Sequence, residues 1–195
     1  MDTLRVRLGG GRLILGEPLT ITDLAQELGL SATPVREALS RLAGEGLIED
    51  RRGRGYFAKR LDVADLVELY GLRRLYLVEA AADASLDDLA AILREIGSGQ
   101  SGLAPAQQAY ERLVAGAGNR VLMDACRIVF ERLIGATRAE AALFDATAEW
   151  AELAEAMARG ASVLVEVIVR HHRGRQGRAG EIVRAMRAYS NISSL

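Results

Sequence analysis

Apolar residues recur along this chain mostly at helical spacing, broken near the start by one short strand-like stretch. Leu24, Ala25 and Leu28 share one face of a first helix. Thr20 opens it, with Asp23 three residues on, the spacing of a capping box with Asp in place of Glu. Gly29 closes it, because glycine enters the left-handed conformation without steric cost. Val35, Ala38, Leu39 and Leu42 then recur at i, i+3, i+4 and i+7, which predicts a second helix that buries this stripe. Ser31 or Thr33 caps it, and Pro34 is tolerated in its first turn. Arg36, Ser40 and Arg41 are left pointing outward. Gly44 and Gly46 stop the helix. Leu47 and Ile48 start a strand, residues 51–55 turn, and Tyr56-Phe57-Ala58 return as a second strand. Upstream, residues 2–8 give about two turns of helix at most. Gly9 to Gly11 follow, and residues 14–19 predict a short turn into Thr20.

From residue 61 onward helices alternate with glycine-rich breaks. The first runs Leu61–Ala84, with Leu66, Leu69, Leu72 or Arg73, Leu75 and Val78 or Glu79 near helical spacing. The second is Ser85–Ile96, capped by Ser85, with Asp87 and Asp88 where the helix dipole favours them. Residues 97–102 read as a flexible loop. Pro105–Ala115 is the third helix. Asn119 caps the fourth, which extends to about Arg138. Ala139–Arg159 is the fifth. Ala161–Arg173 is the sixth, ended by Gly174, and its β-rich centre VLVEVIV is taken as buried helix. Residues 174–180 predict a basic loop, and Glu181–Tyr189 a last short helix. The fold class is therefore mainly α. Residues 1–60 form an N-terminal winged helix-turn-helix with a small β wing, and residues 61–195 a C-terminal all-helical bundle.

Composition agrees with this division. The chain has 195 residues, half of them apolar and 5% aromatic, enough for a helical core packed through small side chains. Its net charge of −1 excludes a globally basic protein. The charge is uneven, however: residues 31–60 hold seven Arg/Lys against four Asp/Glu, a net of +3. A local basic face on a near-neutral protein suits an electrostatic footprint on DNA. The single cysteine, Cys126, precludes an intrachain disulfide and lies in an apolar helical run, as a small core residue does. No apolar stretch reaches membrane-spanning length and the N-terminal residues lack a signal-peptide core, so a cytoplasmic location without membrane contact is expected.

The unit from Leu24 to Tyr56 has the chemistry of DNA reading. A helix fits the major groove with its N-terminal residues toward base edges, and its free N–H groups favour phosphate oxygens. Ser31, Thr33 and Arg36 stand at that end, with Ser40 and Arg41 along the same helix. The turn Arg51-Arg52-Gly53-Arg54 has the charge and lack of bulk to lie against a backbone or minor groove. Residues 12–60 resemble the DNA-binding domain of the GntR family of bacterial winged-helix regulators. In that family the segment after the turn usually reads Ser-Arg-Thr-Pro-Val-Arg-Glu-Ala-Leu. Ser31, Thr33, Pro34, Val35, Arg36, Glu37, Ala38 and Leu39 match it, whereas Ala32 stands where the family commonly has Arg. The likeness extends to the FadR-type subgroup with its all-helical FCD domain, through Asp62 to Ala82, Ala117-Gly118-Asn119, Glu149 to Gly160 and His172. It implies a homodimer on a pseudo-palindromic operator, acting as a repressor that answers to a small-molecule effector.

FCD domains commonly hold a metal with one Asp and three His. The resemblance places those positions on Ala106, Tyr110, Trp150 and His172, so no metal and no cofactor are expected. His171 and His172 are adjacent and point about 100° apart on a helix, which prevents chelation. Arg73, Tyr110, Trp150 and His172 are instead the candidates for direct effector contact, with Arg73 suited to a carboxylate or acyl compound. Arg73 and Glu79 are alternatively structural partners, and Tyr110 and Trp150 alternatively fill the core. A regulator whose sensor has degenerated is the alternative function. An enzyme is not expected, since no nucleophile–base spacing, phosphate loop or catalytic carboxylate pair stands out.

Overall fold

The computed structural model describes residues 16–97 and 104–192, without the side chains of residues 189–192. The helix expected over residues 2–8, the glycines 9–11 and the loop residues 98–102 lie outside the described residues. The first unit is a three-stranded antiparallel sheet with two helices: β1 Pro18–Leu19, α1 Ile21–Leu28, α2 Ala32–Gly44, β2 Ile48–Arg51 and β3 Gly55–Ala58. The strand order is β1-β3-β2, with Leu19 opposite Tyr56 and Ile48 opposite Ala58. β1 replaces the end of the expected turn before Thr20. Two residues are too few for a sequence period to register, and Pro18 is tolerated because β1 is an edge strand. Thr20 and Ser31 hold the N-cap positions, but neither side chain bonds the helix, so the capping box expected at Thr20 is not made. Gly29 is left-handed as expected, at φ 64°. Leu24, Ala25, Val35, Ala38, Leu39, Leu42 and Ile48 close over one another as a separate apolar cluster.

The rest is a helical bundle: α3 Val63–Ala82, α4 Leu86–Gly97, α5 Pro105–Gly116, α6 Arg120–Glu140, α7 Ala146–Arg159, α8 Ala161–Gly177 and α9 Ala179–Ile192. A capping box opens α3, where Asp62 accepts from the Asp65 amide at 2.8 Å and Asp65 from the Asp62 amide at 3.1 Å. Helix α3 is central, packed against α5, α6, α8 and α9. Its buried face is Leu66, Leu69, Tyr70, Arg73, Leu77, Ala80 and Ala81. Of the alternatives Leu72 and Arg73 it is Arg73 that turns inward, and Leu75, expected inside, is exposed.

Two boundaries depart from expectation for identifiable reasons. The single helix expected over residues 139–159 is broken after Glu140. Asp145 restarts it as α7 by accepting from the amides of Thr147 at 2.9 Å and Ala148 at 3.0 Å. The alanine-rich sequence around the break gave no breaker signal. Conversely, Gly174 does not end α8, and the expected basic loop 174–180 is largely helix. Arg175 is anchored by two carboxylates, and the Gln176 amide donates to the Val67 carbonyl at 2.9 Å. These contacts outweigh the roughly 1 kcal/mol that a helical glycine costs. Helix α9 accordingly starts at Ala179 and is longer than expected.

Candidate nucleic-acid interface and a buried polar cluster

Helix α2 buries its apolar stripe and leaves Ser31, Thr33, Arg36, Ser40 and Arg41 exposed. With the Ser31 side chain making no cap bond, the N-terminal amides of the helix stay open to an outside acceptor. The hairpin β2–β3 turns through Arg52, Gly53 and Arg54, all exposed. Gly53 and Gly55 have φ of 74° and 89°, and a Cβ at either would meet nothing, so the tip stands clear of the fold. Arg51 is not like its neighbours. Its Nε and Nη2 donate to Glu49 Oε2 at 2.9 and 2.8 Å, and its guanidinium lies 4.2 Å over the Phe57 ring. It braces the hairpin, while Arg52 and Arg54 stand exposed at the turn.

The bundle encloses a second concentration of polar groups. Arg73, on α3, is 2% exposed. Its Nε donates to His172 Nε2 at 2.9 Å, and the rings of Tyr70, Tyr110 and Phe130 surround its guanidinium at 5.5–5.8 Å. An arginine can only donate, so His172 Nε2 accepts and its Nδ1 carries the proton donated to the Ile168 carbonyl at 2.8 Å. Burial, reinforced by the Arg73 charge, holds the His172 pKa well below the usual imidazole range. On α8, Arg175 donates from Nε to Glu140 Oε2 at 2.7 Å and to both oxygens of Glu149 at 2.9 and 2.7 Å. Burial works against the Arg175 charge, but the hydrogen bonds and charges of Glu149 and Glu140 outweigh it and raise its pKa. Tyr70 donates to the other Glu140 oxygen at 2.5 Å, and burial followed by the Glu140 charge pushes its phenol upward. His171 bridges the Tyr110 hydroxyl at 3.5 Å and Glu152 at 2.7 Å. Burial raises the Tyr110 phenol to about 12.

Of the four effector candidates, Arg73, Tyr110 and His172 come together, the two rings 5.5 Å apart. Trp150 does not join them. It is half-buried against the apolar core on α7 and lies off the nearby cavity. Glu79 is exposed and is not the partner of Arg73. The cavity has a volume of about 110 Å³ and is lined by Arg73, Ala106, Tyr110, Thr137, Glu140, Glu149 and Arg175 among others. Sequence reasoning missed Glu140, Glu152 and Arg175 altogether. For Glu140 and Arg175 the only signal was a charge at an inward position of an otherwise apolar helix face, whereas Glu152 is exposed and carried none. The residues at the positions where the resemblance would place a metal do not fit one. Ala106 has no donor atom, Trp150 is elsewhere, and both His172 nitrogens are engaged. Among the described residues no three His, Cys, Asp or Glu side chains converge as ligands. A larger groove of about 530 Å³ runs along α5 and α6, lined by Val114, Met123, Cys126, Phe130 and Ile134. No helix among the described residues is long and apolar enough to cross a membrane.

Comparison with known proteins bears on both units. Residues 1–57 match the family described as bacterial regulatory proteins, gntR family. The chain is 33% identical over 131 residues to the Nta operon transcriptional regulator of Aminobacter aminovorans, covering 60% of this chain and 62% of that protein. It spans between about a third and three fifths of the length of the curated relatives it matches. In fold it is similar to McbR/YncC of E. coli, with a TM-score of 0.69 at 17% identity over 92% of this chain and 94% of that one. It is also similar to a transcriptional regulator GntR from Rhodococcus sp. RHA1, with a TM-score of 0.72 at 18% identity over 91% and 94%. These two likenesses concern the fold.

Proposed function

We propose that this chain, whose residues 1–57 match the gntR family, is a bacterial DNA-binding transcriptional regulator, a repressor, with a small-molecule sensor in its helical bundle. The observation that carries the DNA-binding role is the exposed face of α2, opposite a fully buried stripe and followed by a clear-standing basic turn. Helix α2 enters the major groove, with Arg36 on a base edge and Ser31, Thr33, Ser40 and Arg41 on base edges or phosphates. Arg52 and Arg54 lie along the backbone with Gly53 between them, and Arg51 holds the hairpin in shape. One such unit reads one half-site, so the chain acts as a homodimer on a pseudo-palindrome. The boundary between the units lies near residues 60–61.

The cavity beside Arg73 supports a sensor rather than a degenerate one, since a filled core leaves neither space nor an unpaired buried donor. The sensor works without metal, and no catalytic role is assigned to it. A gel-shift titration on the chain's own upstream region tests the regulator role. Arg36→Ala is expected to weaken specific binding by about 1–3 kcal/mol. Unchanged affinity in that variant refutes the docking mode. A strictly monomeric species by light scattering at micromolar concentration refutes the dimer.

A further inference from the structure

We infer that the cavity beside Arg73 takes a small molecule of zero net charge, with a hydrogen-bond acceptor at one end and a donor at the other. This deepens the sensor proposal and rests on it. Arg73 Nη1 is buried and has no hydrogen-bond partner. Its Nε is engaged by His172, and the rings of Tyr70, Tyr110 and Phe130 lie within 6 Å of the guanidinium. An orphaned buried donor of this kind calls for an acceptor from outside the protein.

The charges around the cavity decide what carries that acceptor. Its lining includes two guanidinium groups, Arg73 and Arg175, and two carboxylates, Glu140 and Glu149. These cancel. His172 adds no charge, because burial keeps its imidazole neutral, and Tyr110 remains a phenol at ordinary pH. An anion would gain Arg73 Nη1 but leave a net negative charge among two carboxylates, in surroundings where an unbalanced charge is costly. A cation would leave the opposite imbalance. A neutral molecule keeps the balance and satisfies both signs. Its acceptor meets Arg73, and its donor turns toward Glu140 or Glu149. Each of those oxygens accepts one bond from Tyr70 or Arg175 and retains a further lone pair. Size narrows the choice further. A cavity of roughly 150 Å³ holds benzene, so the 110 Å³ here accommodates about four or five non-hydrogen atoms. An acyl chain of any length does not fit within that volume. This limit departs from the carboxylate or acyl compound that the sequence suggests, and leaves short hydroxy-amides, hydroxy-ketones or amino-acid zwitterions.

Three probes of equal size and different charge test this: uncharged glycolamide, zwitterionic glycine and anionic glycolate. Each is added at millimolar concentration to the full chain during a thermal melt followed by helical circular dichroism. Glycolamide or glycine is expected to raise the midpoint by about 3–6 °C at ten times its dissociation constant, and glycolate to leave it unchanged. Which of the first two acts separates an uncharged from a zwitterionic ligand. Ala106→Leu, which fills the cavity from α5, is expected to keep a cooperative melt and abolish the rise. Arg73→Gln should weaken it at least tenfold. A rise with glycolate alone, no rise with any probe, or a rise that survives Ala106→Leu overturns the inference. Operator binding on the same preparation keeps the two proposals apart. Loss of DNA binding refutes the regulator, whereas intact DNA binding with any of those melting results refutes only the ligand class.

Discussion

Removing Glu140 is the most direct test of how the bundle is held together. The residue is 6% exposed, and its carboxylate accepts from two buried groups, Tyr70 at 2.5 Å and Arg175 at 2.7 Å. In Glu140→Ala the Tyr70 hydroxyl and the Arg175 Nε both lose their acceptor. Breaking a buried ion pair by deleting one partner costs about 3–5 kcal/mol. Arg175 keeps its two-pronged bond to Glu149, which places the expected loss toward the lower half of that range. For a chain of this size each kcal/mol lowers the melting midpoint by about 2–4 °C, so a fall of roughly 6–16 °C is expected. Glu149→Ala removes as many hydrogen bonds, but the Glu149 side chain is 18% exposed against 7% for Glu140. Water can reach the vacated position, so its cost should be about 1–3 kcal/mol. Urea denaturation of both variants, followed by helical circular dichroism, gives the two values on one scale. If Glu149→Ala proves the more damaging, burial does not set the weight of these contacts and the reasoning fails. Tyr70→Phe should cost about 1–2 kcal/mol alone and almost nothing on top of Glu140→Ala.

Further outcomes follow from the same geometry. Arg52→Ala with Arg54→Ala should weaken binding to all DNA and reduce the salt slope by about 2; Arg51→Ala should mainly lower the melting point of the hairpin, and equal salt effects from all three would contradict its bracing role. His172 is held neutral in the fold, so the unfolded chain takes up a proton there that the folded chain refuses. Stability should be full above about pH 6.5 and fall as pH drops below it, by at most about 1.4 kcal/mol per pH unit. Melting curves between pH 7 and 5 should show this slope, flattened in His172→Gln. Burial raises the Cys126 thiol to about 12, so a thiol reagent at pH 8 should label the native chain negligibly and the denatured chain fully.

The sequence was most legible where local rules and tertiary packing agree. The i, i+3, i+4, i+7 stripe of α2, the left-handed Gly29 and the hairpin all fall where the residues place them, because each is decided within a few positions. Helix α3 shows the limit. Its length was readable, but the inward face only in part, since Leu75 is exposed and the period left Leu72 and Arg73 as alternatives, of which the charged one is buried. No period identifies a guanidinium as a core residue when its justification is a histidine ninety-nine positions away. The same holds for Gly174, where the local signal for a stop was correct as a propensity and was overruled by Arg175. Likewise the aromatic Trp150 and the acidic Glu149 are adjacent in sequence, yet it is Glu149 that reaches the cavity. Their difference is the direction each side chain takes from α7, which depends on how the helix is rotated against α8.

That rotation rests on Gly160. This one residue ends α7 and begins α8, with φ 108° and ψ 175°. Its amide donates back to Ala156 and Met157, and its carbonyl accepts from Leu164. No spacer separates the two helices, so nothing between them can absorb a change in chain length. One inserted or deleted residue would turn α8 by about 100° and carry His171, His172 and Arg175 away from Glu152, Arg73 and Glu149 together. Over evolutionary time this corner is closed to insertions and deletions. Divergence around the cavity must proceed by substitution in place, and descendants of this chain should preserve the count of residues from Glu149 to Arg175 even where they preserve little else.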